Sequence, residues 1–235
     1  MAPSTPDGER PEDRVVPTDP DALREAALVM RAVRDRCVWT QQIDHRALVP
    51  YLVEESAELI DAVEEGSRGE LREELGDLLW QVLFHAEIAS RDPDEPFDID
   101  DVARGLTDKM VRRHPHVFGD AVATTPEEVL VHWNAAKAAE KSARTSVLDG
   151  VSERMPSLAL AQKLLSKASQ VGLAPAPSAH GGAPVDEAGL GDALLALVAT
   201  ARANGWDAER ALRERLRRLE SGIRAAEAAP EALER

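Results

Sequence analysis

Aromatic residues are scarce: Trp, Tyr and Phe together make up 3% of the 235 residues. The long stretches also lack the β-branched alternation from which sheets are built. Ala and Leu dominate the 43% apolar fraction instead. That composition predicts an all-α protein with enough chain for one or two domains and a sizeable core. Cysteine is nearly absent. With Cys37 alone, no disulfide framework or cysteine metal cluster can form, and a reduced intracellular chain is expected. Positive charge is also in deficit, with 28 Lys and Arg against 43 Asp and Glu and a formal net charge of −15. Such a field excludes nucleic acid and anionic membrane as partners, and a phosphate ligand would need local cations or metal ions to overcome it. No apolar run approaches the roughly 20 residues of a membrane span. The opening "MAPSTPDGERPEDRVVPTDP" has no basic start followed by an apolar core, so no signal peptide is expected. A soluble, cytoplasmic protein follows from these absences.

Along the chain, residues 1–20 read as a disordered tail rich in Pro, Asp and Glu. A capping signal at Thr18–Asp21 opens a helix with Leu23, Ala27, Met30 and Val33 at helical spacing. "CVWTQQIDHRALVP" reads as a loop or broken helix ending at Pro50, the first-turn proline of the next helix. Two helices, roughly 50–64 and 69–90, flank a short Gly-containing turn and are expected to be antiparallel neighbours. A fourth helix covers "DVARGLTDKMVRR" and stops at "HPHVFGD"; a fifth begins with Thr125 as N-cap and Pro126 at its first position. These elements form a domain over residues 21–145. Residues 146–235 form a second helical unit, interrupted by a flexible Pro/Gly/Ala segment at 174–188. "ELGDLLWQVLFHAEIA" is echoed by "GLGDALLALVATARAN", which makes a duplicated unit plausible. The second copy has Gly189 where the first has Glu74, so it is degenerate.

Chemistry concentrates in "EESAELIDAVEEGSRGELREELGD". Glu55 and Glu58 are three apart on one helix, and Glu74 and Asp77 are three apart on the next, so each pair shares a face. Both pairs border apolar lines, Leu52, Leu59 and Val63 on the first helix and Leu71, Leu75, Leu78, Leu79, Val82 and Leu83 on the second. Acids beside a core need a partner. Four carboxylates without nitrogen or sulfur ligands suit a hard divalent cation, Mg²⁺ or alternatively Mn²⁺. Lone pairs of this kind are usually solvated helix faces; two, adjacent and split by a tight turn, favour a metal site. Downstream, Lys109, Arg112 and Arg113 crowd one or two helical turns, and Lys137 lies one turn after Trp133. Crowded cations suggest an anion between them, although pairing with neighbouring acids fits the spacing equally well. An acid quartet with a basic cluster is the arrangement that holds and hydrolyses a metal polyphosphate.

"EESAE", fifteen residues and "ELGD" resemble the EExxE…ExxD signature of the MazG-type all-α nucleoside triphosphate pyrophosphohydrolases. "CVWTQQIDHRALVPYLVEE", "DKMVRRHPHVFGD" and "WNAAK" resemble that family's other landmarks in order, so the likeness covers about residues 22–140. The resemblance implies an antiparallel helical bundle that hydrolyses NTPs or dNTPs between the α and β phosphates with Mg²⁺, in a nucleotide-pool sanitation role. It also implies a homodimer with sites near the subunit interface. By motif position, Glu55, Glu58, Glu74 and Asp77 would be metal ligands, and one of them, or Glu54, would position the attacking water. Lys109, Arg112 and Arg113 would contact phosphates, Trp133 and Lys137 would close over the nucleotide, and Trp39 and Tyr51 could stack on the base. Val38, Thr40, Ile43 and Asp44 depart from the family's usual Pro, Asp, Gln and Thr, in a segment that bears on base or ribose selection. A di-iron carboxylate bundle is set aside because neither acidic pair ends in His. The remaining alternative is a non-catalytic nucleotide-binding or helical interaction protein acting as a regulator.

Overall fold

The computed structural model describes residues 21–140, 145–173 and 184–227. Among them are nine α-helices, one 3₁₀ turn and no strand, so the all-α expectation holds. The disordered tail expected over residues 1–20 lies outside the described residues, as does the flexible segment up to residue 183. The chain forms two compact units, Met1–Glu140 and Lys141–Arg235.

In the first unit, α1 (Ala22–Arg36) starts where the Asp21 carboxylate accepts the Arg24 N–H. A 3₁₀ turn (Thr40–Gln42) follows, tied down by Thr40, which is 2% exposed and lies with its hydroxyl 3.0 Å from both the Val33 and Cys37 carbonyls. Helix α2 (His45–Glu64) begins five residues earlier than Pro50 suggested. Asp44 sets this start by accepting the Ala47 N–H at 2.8 Å, which leaves Pro50 inside the second turn. Helix α3 (Arg68–Ala89) opens with a reciprocal capping box between Ser67 and Glu70. Gly66 in the turn is a spatial necessity: a Cβ there would lie 2.6 Å from the Ala62 Cα. The three-residue connection folds α3 back on α2, and these two make the most extensive helix pairing in the chain.

Helix α4 (Ile99–Arg113) is capped by Asp98 and Asp101, a four-residue α5 (Pro115–Phe118) follows, and α6 (Pro126–Glu140) starts with Glu128 N–H on the Thr125 hydroxyl. The core consists of Met30, Leu48, Leu83 and Phe84, with Ile43, Leu79, Trp80, Ile88 and Ile99 packed around it. The apolar stripe beside the acids is less buried than its pattern implied. Leu75, Val82 and Val63 are 51%, 41% and 64% exposed, and none of the three is among the side chains packed on the Met30–Leu48–Leu83–Phe84 core.

At the start of α2, His45 Nδ1 lies 2.8 Å from His85 Nδ1 on α3, with the rings within 7° of parallel. Such a bond requires one Nδ1 to donate and the other to accept, so at least one ring is neutral. Burial, and secondarily the neighbouring His45, holds His85 below its ordinary value of 6.5. A histidine pKa depressed by folding contributes stability above the unfolded value and loses it as pH falls through the folded one. The thermal midpoint should therefore drop as pH falls below 6.5, before the carboxylates titrate. His85→Phe should flatten that segment of the curve; a wild-type midpoint independent of pH there would refute the pairing.

The second unit packs α7 (Ser157–Gln170), α8 (Glu187–Ala203) and α9 (Ala208–Glu227) on a small core of Leu165, Val198 and Ala201. Gln162 clamps the α8–α9 turn, donating to the Trp206 carbonyl and accepting the Ala208 N–H. Gly205 takes φ +71° past the end of α8, and the Trp206 and Gly205 N–H groups reach back to Ala201 and Arg202, closing a Schellman motif. Asp186 caps α8 through the Gly189 N–H.

Candidate metal and nucleotide site

Helices α2 and α3 bring Glu55, Glu58 and Glu74 together: one carboxylate oxygen from each lies within 4.8 Å of the others. The i, i+3 spacing places Glu55 and Glu58 on one face of α2, and the tight Glu65–Ser67 turn sets α3 against it. Glu55 and Glu74 are half-buried, Glu58 exposed. Desolvation raises the Glu55 carboxyl above its ordinary value, followed by repulsion from Asp77, Glu58 and Glu54, while a hydrogen bond from Gln81 opposes the shift. Glu74 is raised by desolvation and then by Glu58 and Asp77. Asp77, exposed on the next turn of α3, thus acts on both half-buried acids, although it lies outside the tight trio.

The trio fits a divalent cation on an observation independent of charge: Glu74 Oε2 is buried and has no hydrogen-bond partner. A buried carboxylate oxygen left bare is costly, and a hard cation held together with Glu55 and Glu58 would supply the missing partner. Gln81 was missed by the sequence reading. It is 3% exposed, donates to Glu55, and leaves its own amide oxygen buried and bare. Its signal was available, since position 81 is one helical turn beyond Asp77 on the same face.

The basic residues assemble around α4 and α6. The Arg113 guanidinium lies 4.9 Å above the Trp133 ring, whose edge also meets His114. Arg112 and Arg113 both pair with Glu140, at 3.3 Å and 2.5 Å. The anion that crowded cations called for is therefore present inside the chain, at a residue that the sequence reading passed over. Lys109 and Lys137 are half-buried on the same two helices, one turn before Arg113 and one turn after Trp133. Trp39 and Tyr51 meet edge to face at 6.2 Å and are 48% and 40% exposed, so they form a half-open aromatic rim, which rests on Phe84 through Trp39.

Residues 43–118 match the family model for the MazG nucleotide pyrophosphohydrolase domain. Over 224 residues the chain is 35% identical to the nucleoside triphosphate pyrophosphohydrolase of Escherichia coli K12, covering 85% of this chain and 84% of that one. The chain belongs to the MazG family. It is also 51% identical over 205 residues to an uncharacterized 26.1 kDa protein of Streptomyces cacaoi, covering 87% of this chain and 82% of that protein. A nucleoside triphosphate pyrophosphohydrolase of Mycolicibacterium smegmatis is 46% identical over 160 residues, and there the match spans 67% of this chain but 49% of the relative. The MazG domain match contains all four acids of the quartet together with Lys109, Arg112 and Arg113; Trp39, Trp133, Lys137 and Glu140 fall outside it. No described helix is long and apolar enough to cross a membrane.

Proposed function

We propose that the chain is a Mg²⁺-dependent nucleoside triphosphate pyrophosphohydrolase that cleaves NTPs or dNTPs between the α and β phosphates and serves cytoplasmic nucleotide-pool sanitation. The observation that carries this reading is the α2–α3 acid trio with its bare, buried Glu74 oxygen. Glu55, Glu58, Glu74 and Asp77 would hold the cation, with Mn²⁺ as a possible substitute. Bound there, the ion would supply charge neutralisation of the phosphates and acidification of a water. Among the chain's own groups, Glu54 and the quartet are the carboxylates available to orient the attacking water. Lys109, Arg112 and Arg113 offset phosphate charge, Trp133 and Lys137 cover the nucleotide, and the exposed Trp39–Tyr51 rim gives a base two ring faces to stack on.

Apolar side chains left open on α2 and α3, Val53, Val63, Leu75 and Val82 among them, support assembly as a homodimer through this helical pair. Residues 146–235 act as a degenerate second copy. There Gly189 replaces the acid, and among the described residues no acidic cluster gathers around the exposed Asp192.

The test is a panel of NTPs and dNTPs with Mg²⁺, the products resolved by anion exchange. Monophosphate plus pyrophosphate is the expected pair. Diphosphate plus phosphate would keep the site and overturn the reaction, and binding without turnover would favour a nucleotide-binding regulator.

A further inference from the structure

Arg113 is nearly enclosed, with its side chain 12% exposed, yet it is one of the cations that the pyrophosphohydrolase reading assigns to phosphate. A guanidinium so placed needs a counter-ion before any substrate arrives. Glu140 provides it in a specific geometry. Its Oε2 accepts from Arg113 Nε at 3.1 Å and from Nη2 at 2.5 Å, the side edge of the fork, while its Oε1 accepts from Arg112 Nη2 at 3.3 Å. The ring of Trp133 lies beneath the same guanidinium, its centre 4.9 Å from the guanidinium carbon. A planar ion held along one edge by a carboxylate and set over a ring is restricted in orientation, and the edge bearing Nη1 is the one Glu140 leaves alone.

We propose that Glu140 is a positioning residue for substrate: it clamps Arg113 over Trp133 so that the guanidinium's other edge meets the nucleotide's phosphates. The proposal rests on the pyrophosphohydrolase reading for its substrate. Its geometry is that of a permanent clamp, not of an anion holding the phosphate seat until displaced. Arg113 keeps the Glu140 carboxyl below the usual carboxylate range, so the clamp stays charged throughout the neutral region.

Glu140→Gln in the full chain keeps the shape and removes the charge. Loss of charge-assisted hydrogen bonding should raise KM for the nucleotide about tenfold, with kcat held within about twofold. Trp133 emission should change as the guanidinium loosens from the ring, a change absent when Trp133 is replaced by Phe. Glu140→Asp retains the charge on a shorter arm and should fall between the two. It also provides the readout if the Gln variant does not fold. A lower KM in Glu140→Gln would show a competing anion and overturn the proposal. Unchanged KM and emission would reduce Glu140 to a surface ion pair and do the same. If the wild type releases no monophosphate and pyrophosphate, the reaction assignment fails separately. Quenching of Trp133 by Mg²⁺–ATP then decides the clamp, and an equal dissociation constant in wild type and Glu140→Gln would refute it.

Discussion

Glu58→Gln should remove at least about a hundredfold of the turnover, because replacing even the outer partners of a metal ligand costs 10–100-fold. It should also abolish the rise in thermal midpoint that Mg²⁺ gives the wild type. The same substitution should make the metal-free protein more stable. Glu58 is exposed and has no burial of its own to lose, while its charge lifts the pKa of both Glu55 and Glu74. Neutralising it relieves repulsion on two half-buried carboxylates. This opposed pair of effects, a higher midpoint without Mg²⁺ and no response to it, separates a ligand from a structural acid. Asp77→Asn should behave similarly, since Asp77 is the other charge common to Glu55 and Glu74. Full activity in both variants, or a metal-free midpoint that falls, would remove the quartet from the site.

The acidic half of this site was legible because helical periodicity is local. Two pairs at i, i+3 and a three-residue turn determine where Glu55, Glu58 and Glu74 can go without knowledge of any third helix. The basic half was not legible to the same degree. Arg112 and Arg113 could be placed in the last turn of one helix, but their counter-ion is 27 residues from Arg113, on a different helix, and nothing in spacing selects Glu140 from the other acids. The same limit hid the His45–His85 pair, two residues forty apart that only the α2–α3 register aligns. Pro50 misled for the opposite reason. Proline favours a first turn, yet the Asp44 cap is strong enough to start α2 earlier and carry the proline into the second turn. The apolar stripe on α3 correctly marked a helix face, but periodicity cannot say whether a face is covered by the same chain. Leu75 and Val82 remain exposed in the single chain.

Phe84→Ala should be the most destabilising single truncation in the first unit. Phe84 is fully buried, and its ring meets Trp80 at 5.8 Å and Trp39 at 6.4 Å, with the Arg34 guanidinium 5.8 Å from its centre. Large-to-small changes at such a position cost about 3–5 kcal/mol, a large part of the roughly 5–15 kcal/mol that holds a domain together. Here the cost extends beyond a cavity. Arg34 is itself 9% exposed and donates to the Ile43 carbonyl at 3.0 Å, so the residue leaning on the Phe84 ring also anchors the loop that leads into α2. Trp39, on that loop, loses its floor in the same step. Denaturant unfolding should show a midpoint lowered accordingly. Nucleotide affinity should weaken even in the fraction that stays folded, because the Trp39–Tyr51 rim is no longer fixed. Phe84→Leu, which fills most of the space, should recover stability ahead of affinity. If Phe84→Ala costs less than about 1 kcal/mol, the ordinary scale for a surface change, the core is not organised around this ring. If both variants bind nucleotide like the wild type, the aromatic rim has no part in holding the base.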